Sequence, residues 1–406
     1  MQKKNIVIVG GGAAGYFCAA NIDSSKYDIT ILEQQQSVLQ KVKISGGGRC
    51  NVSHACFDAR ELVKYYPRGN KELRSVFSKF QPGDTMEWFS DRGVELKIEA
   101  DNRIFPVSNQ SQTIIDCLEK EATKNNTKVL TKTTVKNIEK KENQYSIHTN
   151  NGDLLADIVV FCTGSSPKSW KILENMGVKM VEAVPSLFTF NIKDDLLKEL
   201  PGTSFANATV QIKNLKASED GPLLITHWGL SGPAILKLSA WKARELAILD
   251  YKFDILVNFL SISFAEAEEI FLEFREKNTK KQIGQSKIFD VTQRFWGKIL
   301  EISNIPLDKQ LSNISKKEIQ LILENLCRKT LVVNGKSTFK DEFVTAGGID
   351  LKEIDFKNMK LKSLENFFVA GETINIDAVT GGFNFQACWS EAWLIAMELN
   401  NNDWEI

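Results

Sequence analysis

Lys4-Asn-Ile-Val-Ile-Val-Gly-Gly-Gly-Ala-Ala-Gly-Tyr16 is the stretch on which the fold turns. Asn5 to Val9 is a short, nearly all-apolar run, the pattern of a strand buried on both faces of a parallel sheet. Gly10, Gly12 and Gly15 follow at G-x-G-x-x-G spacing, with Ala13 and Ala14 between the last two. Tyr16 to Ile22 predicts a helix packed on that sheet, and Tyr27 to Leu32 a second strand ending at Glu33. Each glycine has a physical reason. Gly10 allows the tight turn, Gly12 lets backbone approach a pyrophosphate, and Gly15 lets the helix lie close to the strand. The helix N-terminus then faces the anion. Glu33 lies 33 − 10 = 23 positions past the first glycine, where an acid holds a ribose hydroxyl and disfavours a 2′-phosphate.

The rest of the composition restricts the class. A chain of 406 residues carries more than one core. Lys+Arg and Asp+Glu are 51 each, so no global field draws it to nucleic acid or to an anionic membrane, although a local basic face is compatible with that total. Seven cysteines without a paired framework suit reduced thiols and a cytoplasmic location. Lys3 and Lys4 before an apolar run imitate a signal peptide, but the glycines interrupt it, and it reads as mature protein. No other apolar run approaches the roughly 18 residues of a membrane span. Nothing at metal-ligand spacing occurs, with neither a CxxC nor an HxxxH pair.

A second glycine triplet, Gly46 to Gly48, sits in Lys41-Val-Lys-Ile-Ser-Gly-Gly-Gly-Arg-Cys-Asn51 and reads as a ligand-contact loop. With this segment the chain resembles the BaiN/YhiN-like family of bacterial flavoproteins, NAD(P)/FAD-dependent oxidoreductases whose nucleotide domain is similar to that of glutathione reductase. Asn102-Arg-Ile-Phe-Pro106 matches the family's GRxFP stretch with Asn for Gly. Thr226-His-Trp-Gly-Leu-Ser-Gly-Pro233, Val344-Thr-Ala-Gly-Gly-Ile349 and Gly371 to Asn384 match further blocks, so the likeness runs nearly end to end. The chain departs from the family after Gly164, where Ser165-Ser-Pro167 replaces a glycine-rich loop.

The resemblance implies FAD and assigns its contacts. Gly10, Gly12, Ala13, Ala14, Gly15 and Glu33 hold the ADP half, and Val135 meets adenine through its backbone. Lys41, Ser45, Gly46, Gly47, Arg49, Cys50 and Asn51 come from the second glycine loop, and Thr163 and Gly164 close over the dinucleotide. Thr345, Gly347, Gly371, Glu372, Asp377, Gly381, Gly382, Phe383 and Asn384 surround the flavin end, with Glu372 on the ribityl chain. The helix beginning at Gly382 and Phe383 faces the N1/C2 edge, where reduction places negative charge. His227, Arg49, Arg103 and Cys50 are the candidates for chemistry, His227 as the proton-transfer group. His54, after the glycine loop, is also a candidate to face the flavin, whereas His148 reads as structural or exposed. Cys50 and Cys56 have five residues between them rather than the four of a disulfide reductase, so Cys50 reads as an inert packed thiol, with an Arg49-assisted thiolate as the alternative.

The expected fold is α/β, a glutathione-reductase-like doubly wound FAD-binding domain (1-187 and 342-406) with an inserted β-barrel-like domain (188-262 and 329-341) and a nested helical domain (263-328). Tyr251, Phe253, Ile255, Val257 and Phe259 at every second position mark an inserted strand. Ser263 with Glu266 and Ser315 with Glu318 each read as a capping box opening a helix. Val129 to Ile138 and Leu331 to Phe343 have strand texture.

The functional expectation is a FAD-dependent oxidoreductase reducing an unsaturated small molecule, which enters between nucleotide domain and insert near Arg49, Arg103 and His227. An RNA-modifying reductase acting on ribosomal RNA is the alternative. Its basic groove would come from Lys280, Lys281, Lys287, Arg294, Lys316 and Lys317. A non-catalytic FAD-binding protein is the third reading. NAD(P)H as donor follows only from the family label, since a second G-x-G-x-x-G is absent.

Overall fold

The structure is a computed structural model that describes residues 3–337 and 344–401. These divide into two compact units, one within Met1–Val184 and Lys340–Ile406, the other within Pro185–Phe339.

The first unit is built on a seven-stranded sheet. Lys4–Val9 is the middle one of its five parallel strands, with Tyr27–Leu32 and then Lys128–Leu130 on one side. Ile158–Phe161 and Phe367–Val369 lie on the other, and all four of these pairings are parallel. Lys360–Leu361 and Ile354–Asp355 add an antiparallel edge. Ile6, Ile8, Val159 and Val160 are fully or almost fully buried, as both-face burial of a parallel sheet requires. The chain leaves Lys4–Val9 for one side and returns on the other, so the strand order reverses there. Ligands bind at the carboxyl ends of the strands at such a switch point. Gly10 and Cys162-Thr163-Gly164 are the residues that follow those two strand ends.

Helix Ala13–Asn21 lies against the long helix Phe383–Asn401. Phe17 meets Trp389 at 5.2 Å between ring centroids, and Asn400 Nδ2 donates to the Asn21 carbonyl at 2.8 Å. Full burial of Phe17 contributes roughly 1.5–3 kcal/mol. Trp389 Nε1 donates to the Val52 carbonyl (2.9 Å), and Ser53 Oγ to Gln386 Oε1 (2.5 Å). The segment after the second glycine triplet is thereby fastened to the C-terminal helix.

The second unit is a closed barrel. Among the described residues its strands run Thr189–Ile192, Gly229–Ser231, Ala217–Thr226, Ser204–Ile212, Lys252–Asn258 and Lys329–Ser337, and the last pairs with the first. Phe253, Ile255 and Val257 alternate inward. The same apolar core continues into helices Phe264–Lys277, Gln293–Ile302 and Lys316–Cys327, through Phe271, Ile299 and Leu323.

Several local expectations change. The run Val129 to Ile138 is two strands in two sheets, Lys128–Leu130 and Val135–Lys141. They are broken where the Lys132 N–H donates to the Gln35 carbonyl and the Thr133 N–H to the Glu33 carbonyl, with Lys132 at φ +52°. Alternation alone does not register such a turn. Ser315 and Glu318 form the full capping box, but at Ser263 only the serine half is present, accepting from the Glu266 N–H at 3.1 Å. The strand from Lys329 is described to Ser337, and the rest of the run to Phe343 lies outside the described residues.

Candidate functional site

The first glycine turn has the form its sequence predicts. Gly10 has φ +117°, and a Cβ there would fall 2.2 Å from the Cys162 carbonyl oxygen. A Cβ on Gly15 would fall 2.1 Å from the Gly10 carbonyl oxygen, so this glycine is what lets helix and strand touch. Gly12 differs: it is extended (φ −92°), and a Cβ there meets nothing within 4 Å. Among the described residues no side chain caps the helix that begins at Ala13. An open face, uncapped helix N–H groups and a positive dipole end together make an anion cradle. Glu33 accepts from the Gly11 N–H through Oε2 (2.9 Å) and from the Gln35 N–H through Oε1 (2.7 Å), which fixes its carboxylate against the turn. The buried Thr163 Oγ1, at the adjacent strand end, has no hydrogen-bond partner among the described residues. A buried hydroxyl without a partner beside an open anion cradle fits a dinucleotide.

Across the switch point, Lys41 Nζ forms an ion pair with Glu372 and reaches Ser165 Oγ at 3.3 Å. Gly164 (φ +64°) faces the same carboxylate. The turn at Gly371 is held from below, its N–H donating to Glu391 Oε2 at 2.6 Å. Glu391 is 1% exposed. Burial pushes its carboxyl up to about 8, opposed only by the Gly371 hydrogen bond.

Gly46, Gly47 and Gly48 are exposed and all have positive φ, and they break the helical run Gln40–Gly48 at its end. Arg49 leaves that loop to pair with Glu99 and stacks over Phe105 at 3.9 Å. Arg103 pairs with Asp101 at 2.6 Å and approaches the same Phe105 ring at 5.3 Å. The two arginines are brought together, each already paired with an acid. Cys50 is fully buried, and burial pushes its thiol up to about 12, which keeps it protonated at neutral pH. This accords with the reading of Cys50 as an inert packed thiol rather than with the Arg49-assisted thiolate. Cys50 and Cys56 are both free thiols. Ser45 Oγ closes the preceding turn on the Val42 carbonyl (2.9 Å).

At the start of the C-terminal helix, the Asn51 amide accepts from the Gly382 N–H at 3.0 Å and donates to the Ser53 carbonyl at 2.9 Å. The N–H groups of Phe383 and Asn384 come next, without intrahelical partners. The Asn384 side chain brackets Ala378 through both its N–H (3.0 Å) and its carbonyl (3.4 Å). Phe383 stacks on Tyr65 (4.3 Å, 13°) and meets His54 at 4.4 Å. His54 Nδ1 lies 3.2 Å from the Gly381 carbonyl oxygen. A carbonyl only accepts, so Nδ1 carries the proton and Nε2 is the open nitrogen. Burial lowers the His54 pKa, opposed by the Gly381 hydrogen bond and Asp101, with Arg103 adding to the lowering.

Other residues expected at the cofactor have structural partners of their own. Asp377 is fully buried in a two-pronged ion pair with Arg68, so its carboxylate braces the fold rather than facing a cofactor. Gly347 is required by packing, since a Cβ would fall 2.7 Å from the Glu182 carbonyl oxygen; Thr345 lies two positions away in the same strand, Val344–Ile349. Val135 pairs with Thr149 in a three-stranded antiparallel sheet. His227 is exposed at a hairpin tip of the barrel, between Ala217–Thr226 and Gly229–Ser231. Of the expected basic groove, Arg294 donates to the Pro201 carbonyl at 3.0 Å. Sequence reasoning missed Tyr65, Arg68 and Glu391. Arg68 and Glu391 find their partners 309 and 20 positions away, and no short motif announces any of the three.

The family profile described as the HI0933-like protein Rossmann domain matches residues 4–398. The ribosomal RNA dihydrouridine synthase of Escherichia coli K12 is 25% identical, the match covering 98% of each chain. The 3-dehydro-bile acid delta(4,6)-reductase of Clostridium scindens is 24% identical over 96% of this chain and 97% of its own. Among solved structures, the 3-ketosteroid-Δ4-(5α)-dehydrogenase of Rhodococcus jostii RHA1 aligns with a TM-score of 0.54 at 9% identity, covering 98% of this chain and 97% of that one. A flavocytochrome c3 fumarate reductase aligns with a TM-score of 0.50 at 13% identity, covering 99% and 79%. Among the described residues no helix is long and apolar enough to cross a membrane.

Proposed function

This chain belongs to the HI0933-like Rossmann family, and from that premise we propose that it is a FAD-dependent reductase of a carbon–carbon double bond conjugated to a carbonyl. The observation that carries the reading is the open face at Gly12, beside the carboxylate of Glu33 and the Thr163 hydroxyl, which has no partner among the described residues. The two relatives differ in substrate, one named for dihydrouridine in ribosomal RNA and the other for a 3-dehydro-bile acid. Both names describe saturation of a double bond in a ring that bears a carbonyl, and that shared chemistry supports the substrate class.

When bound, FAD supplies the hydride chemistry. The chain holds the dinucleotide with Gly10, Gly12, Gly15, Glu33, Thr163 and Gly164, and its far end with Gly371, Glu372, Gly382 and Phe383. Reduction of a conjugated double bond also requires a proton. His54 is the side chain suited to carry it: the Gly381 carbonyl holds Nδ1 protonated in either charge state, so exchange is confined to Nε2. His54 takes the role expected from sequence for His227.

NAD(P)H is the proposed electron donor, and seven free cysteines accord with a reducing cytoplasm. The test is anaerobic mixing of the FAD-loaded protein with NADPH and NADH in turn, followed by reoxidation with a 3-oxo-4-ene steroid or with uridine-containing RNA. Bleaching by either donor and recovery with either acceptor are expected. A flavin that neither donors nor dithionite bleach would contradict the proposal and favour a passive FAD-binding protein.

A further inference from the structure

The first unit carries a second hollow, of about 650 Å³, outside the nucleotide turn. Helix Asn70–Phe77 supplies one wall through Lys71, Arg74 and Ser75, and the short segment Phe57 to Arg60 supplies the other. Lys71 and Arg74 are three apart on a helix and so share a face. Among the described residues neither has an ion-pair partner. The one lining acid, Asp58, is already paired with Arg60 at 3.1 Å, so three lining cations against one anion leave 3 − 1 = +2. Phe57, one of the lining residues, is 48% exposed and so offers a ring face to a ligand.

The chain itself ties this hollow to the redox site. Phe57 follows His54 by three residues, which at full extension is about 11 Å between Cα atoms. Helix Ala59–Leu62 and the turn Val63–Tyr65 run from the hollow to Tyr65, whose ring stacks on Phe383. An unpaired guanidinium and ammonium recognise a phosphate, and an exposed aromatic ring recognises the flat face of a base.

We propose that this hollow is a nucleotide-phosphate subsite, in which Lys71 and Arg74 hold a phosphate and Phe57 stacks a base while the adjoining part of the same ligand reaches the His54–Phe383 rings. The proposal rests on the reductase reading for the identity of those rings. The nucleotide phosphate has two sources, the backbone of an RNA substrate or the dinucleotide that delivers electrons. Both use the same cations.

The test measures binding without turnover. The FAD-loaded protein is titrated into fluorescein-labelled single-stranded RNA at several salt concentrations, and separately with NADPH. The same is done for the double variant Lys71→Glu/Arg74→Glu and for Phe57→Ala. All three side chains are exposed, and the visible flavin spectrum reports that each variant is folded. RNA binding at least tenfold weaker in the double variant is expected, with the slope of log K against log salt reduced by about 0.7, for the one phosphate no longer neutralised. Phe57→Ala is expected to weaken binding with the slope unchanged. The same loss confined to NADPH assigns the subsite to the electron donor. If RNA and NADPH both fail to bind, or both bind the charge-reversed protein as they bind the native one, the subsite is refuted. Failure of the reductase reading is separate, because it shows as a flavin that does not cycle while these affinities stand.

Discussion

Replacing Glu391 by glutamine keeps the shape of the side chain and an oxygen for the Gly371 N–H (2.6 Å) but removes the ionisable group. Glu391 is fully inside the protein, and desolvation lifts its carboxyl from 4.5 to about 8. In the window between those values the folded chain holds a proton that the unfolded chain releases, so stability falls as pH rises. The loss is about 1.36 × (8 − 4.5) ≈ 5 kcal/mol once ionisation is complete. Tyr66 and Cys388, the titratable neighbours, are held far above this window by burial and stay neutral through it. Urea unfolding of the wild type and Glu391→Gln, followed by tryptophan fluorescence, is expected to place the two within about 1 kcal/mol at pH 5. At pH 8 the variant is expected to be the more stable by about 4 kcal/mol. Glu391→Leu, which strands the Gly371 N–H, should lose about 1–3 kcal/mol at pH 5. A wild-type-minus-glutamine difference that does not change between pH 5 and pH 8 would refute the reasoning, because the carboxyl would then ionise in the fold as freely as outside it.

Gly12→Val should leave the melting temperature unchanged but abolish FAD retention, since its side chain enters space that the protein leaves open, whereas Gly15→Val should fail to fold. Thermal melts and the flavin-to-protein absorbance ratio distinguish the two. Asp377→Ala strips the part-buried Arg68 of its carboxylate and should cost about 3 kcal/mol in urea unfolding, the low end for a buried pair. In the proton NMR of the three histidines, His54 should titrate below the ordinary value of about 6.5. Because its charged form is disfavoured in the fold, its contribution to stability is lost as pH falls through that range. The rate of flavin reoxidation by an active acceptor should fall as pH rises past the His54 midpoint, and His54→Gln should flatten that profile.

The nucleotide turn was legible because its logic is local. Gly10, Gly12, Gly15 and Glu33 act within one strand-turn-helix-strand, and the part each glycine plays follows from what a Cβ would meet. The barrel was legible in part, through the alternation of Phe253, Ile255 and Val257. Side-chain partnerships across the chain were not. Asp377 was expected near the cofactor because it sits among flavin-end residues, yet its carboxylate belongs to Arg68, 309 positions earlier. His54 acquires its fixed tautomer from Gly381, 327 positions later, so its spacing could not rank it above His227. Glu391 reads in sequence as one acid on an apolar helix, and only burial separates it from a solvated one. The Cys50 thiol was ambiguous beside Arg49, because sequence does not show that the guanidinium faces Glu99 and Phe105 instead.

The central claim is that one FAD lies across the switch point, between the Gly12 turn and the start of the C-terminal helix. Its most direct measurement is titration of flavin-free protein with FAD, followed by quenching of flavin fluorescence, for the wild type and Gly12→Val. Saturation at one FAD per chain, lost in the variant while its melting curve is unchanged, is the expected result. Wild-type protein with a native melting curve that leaves FAD fluorescence unquenched would contradict the account.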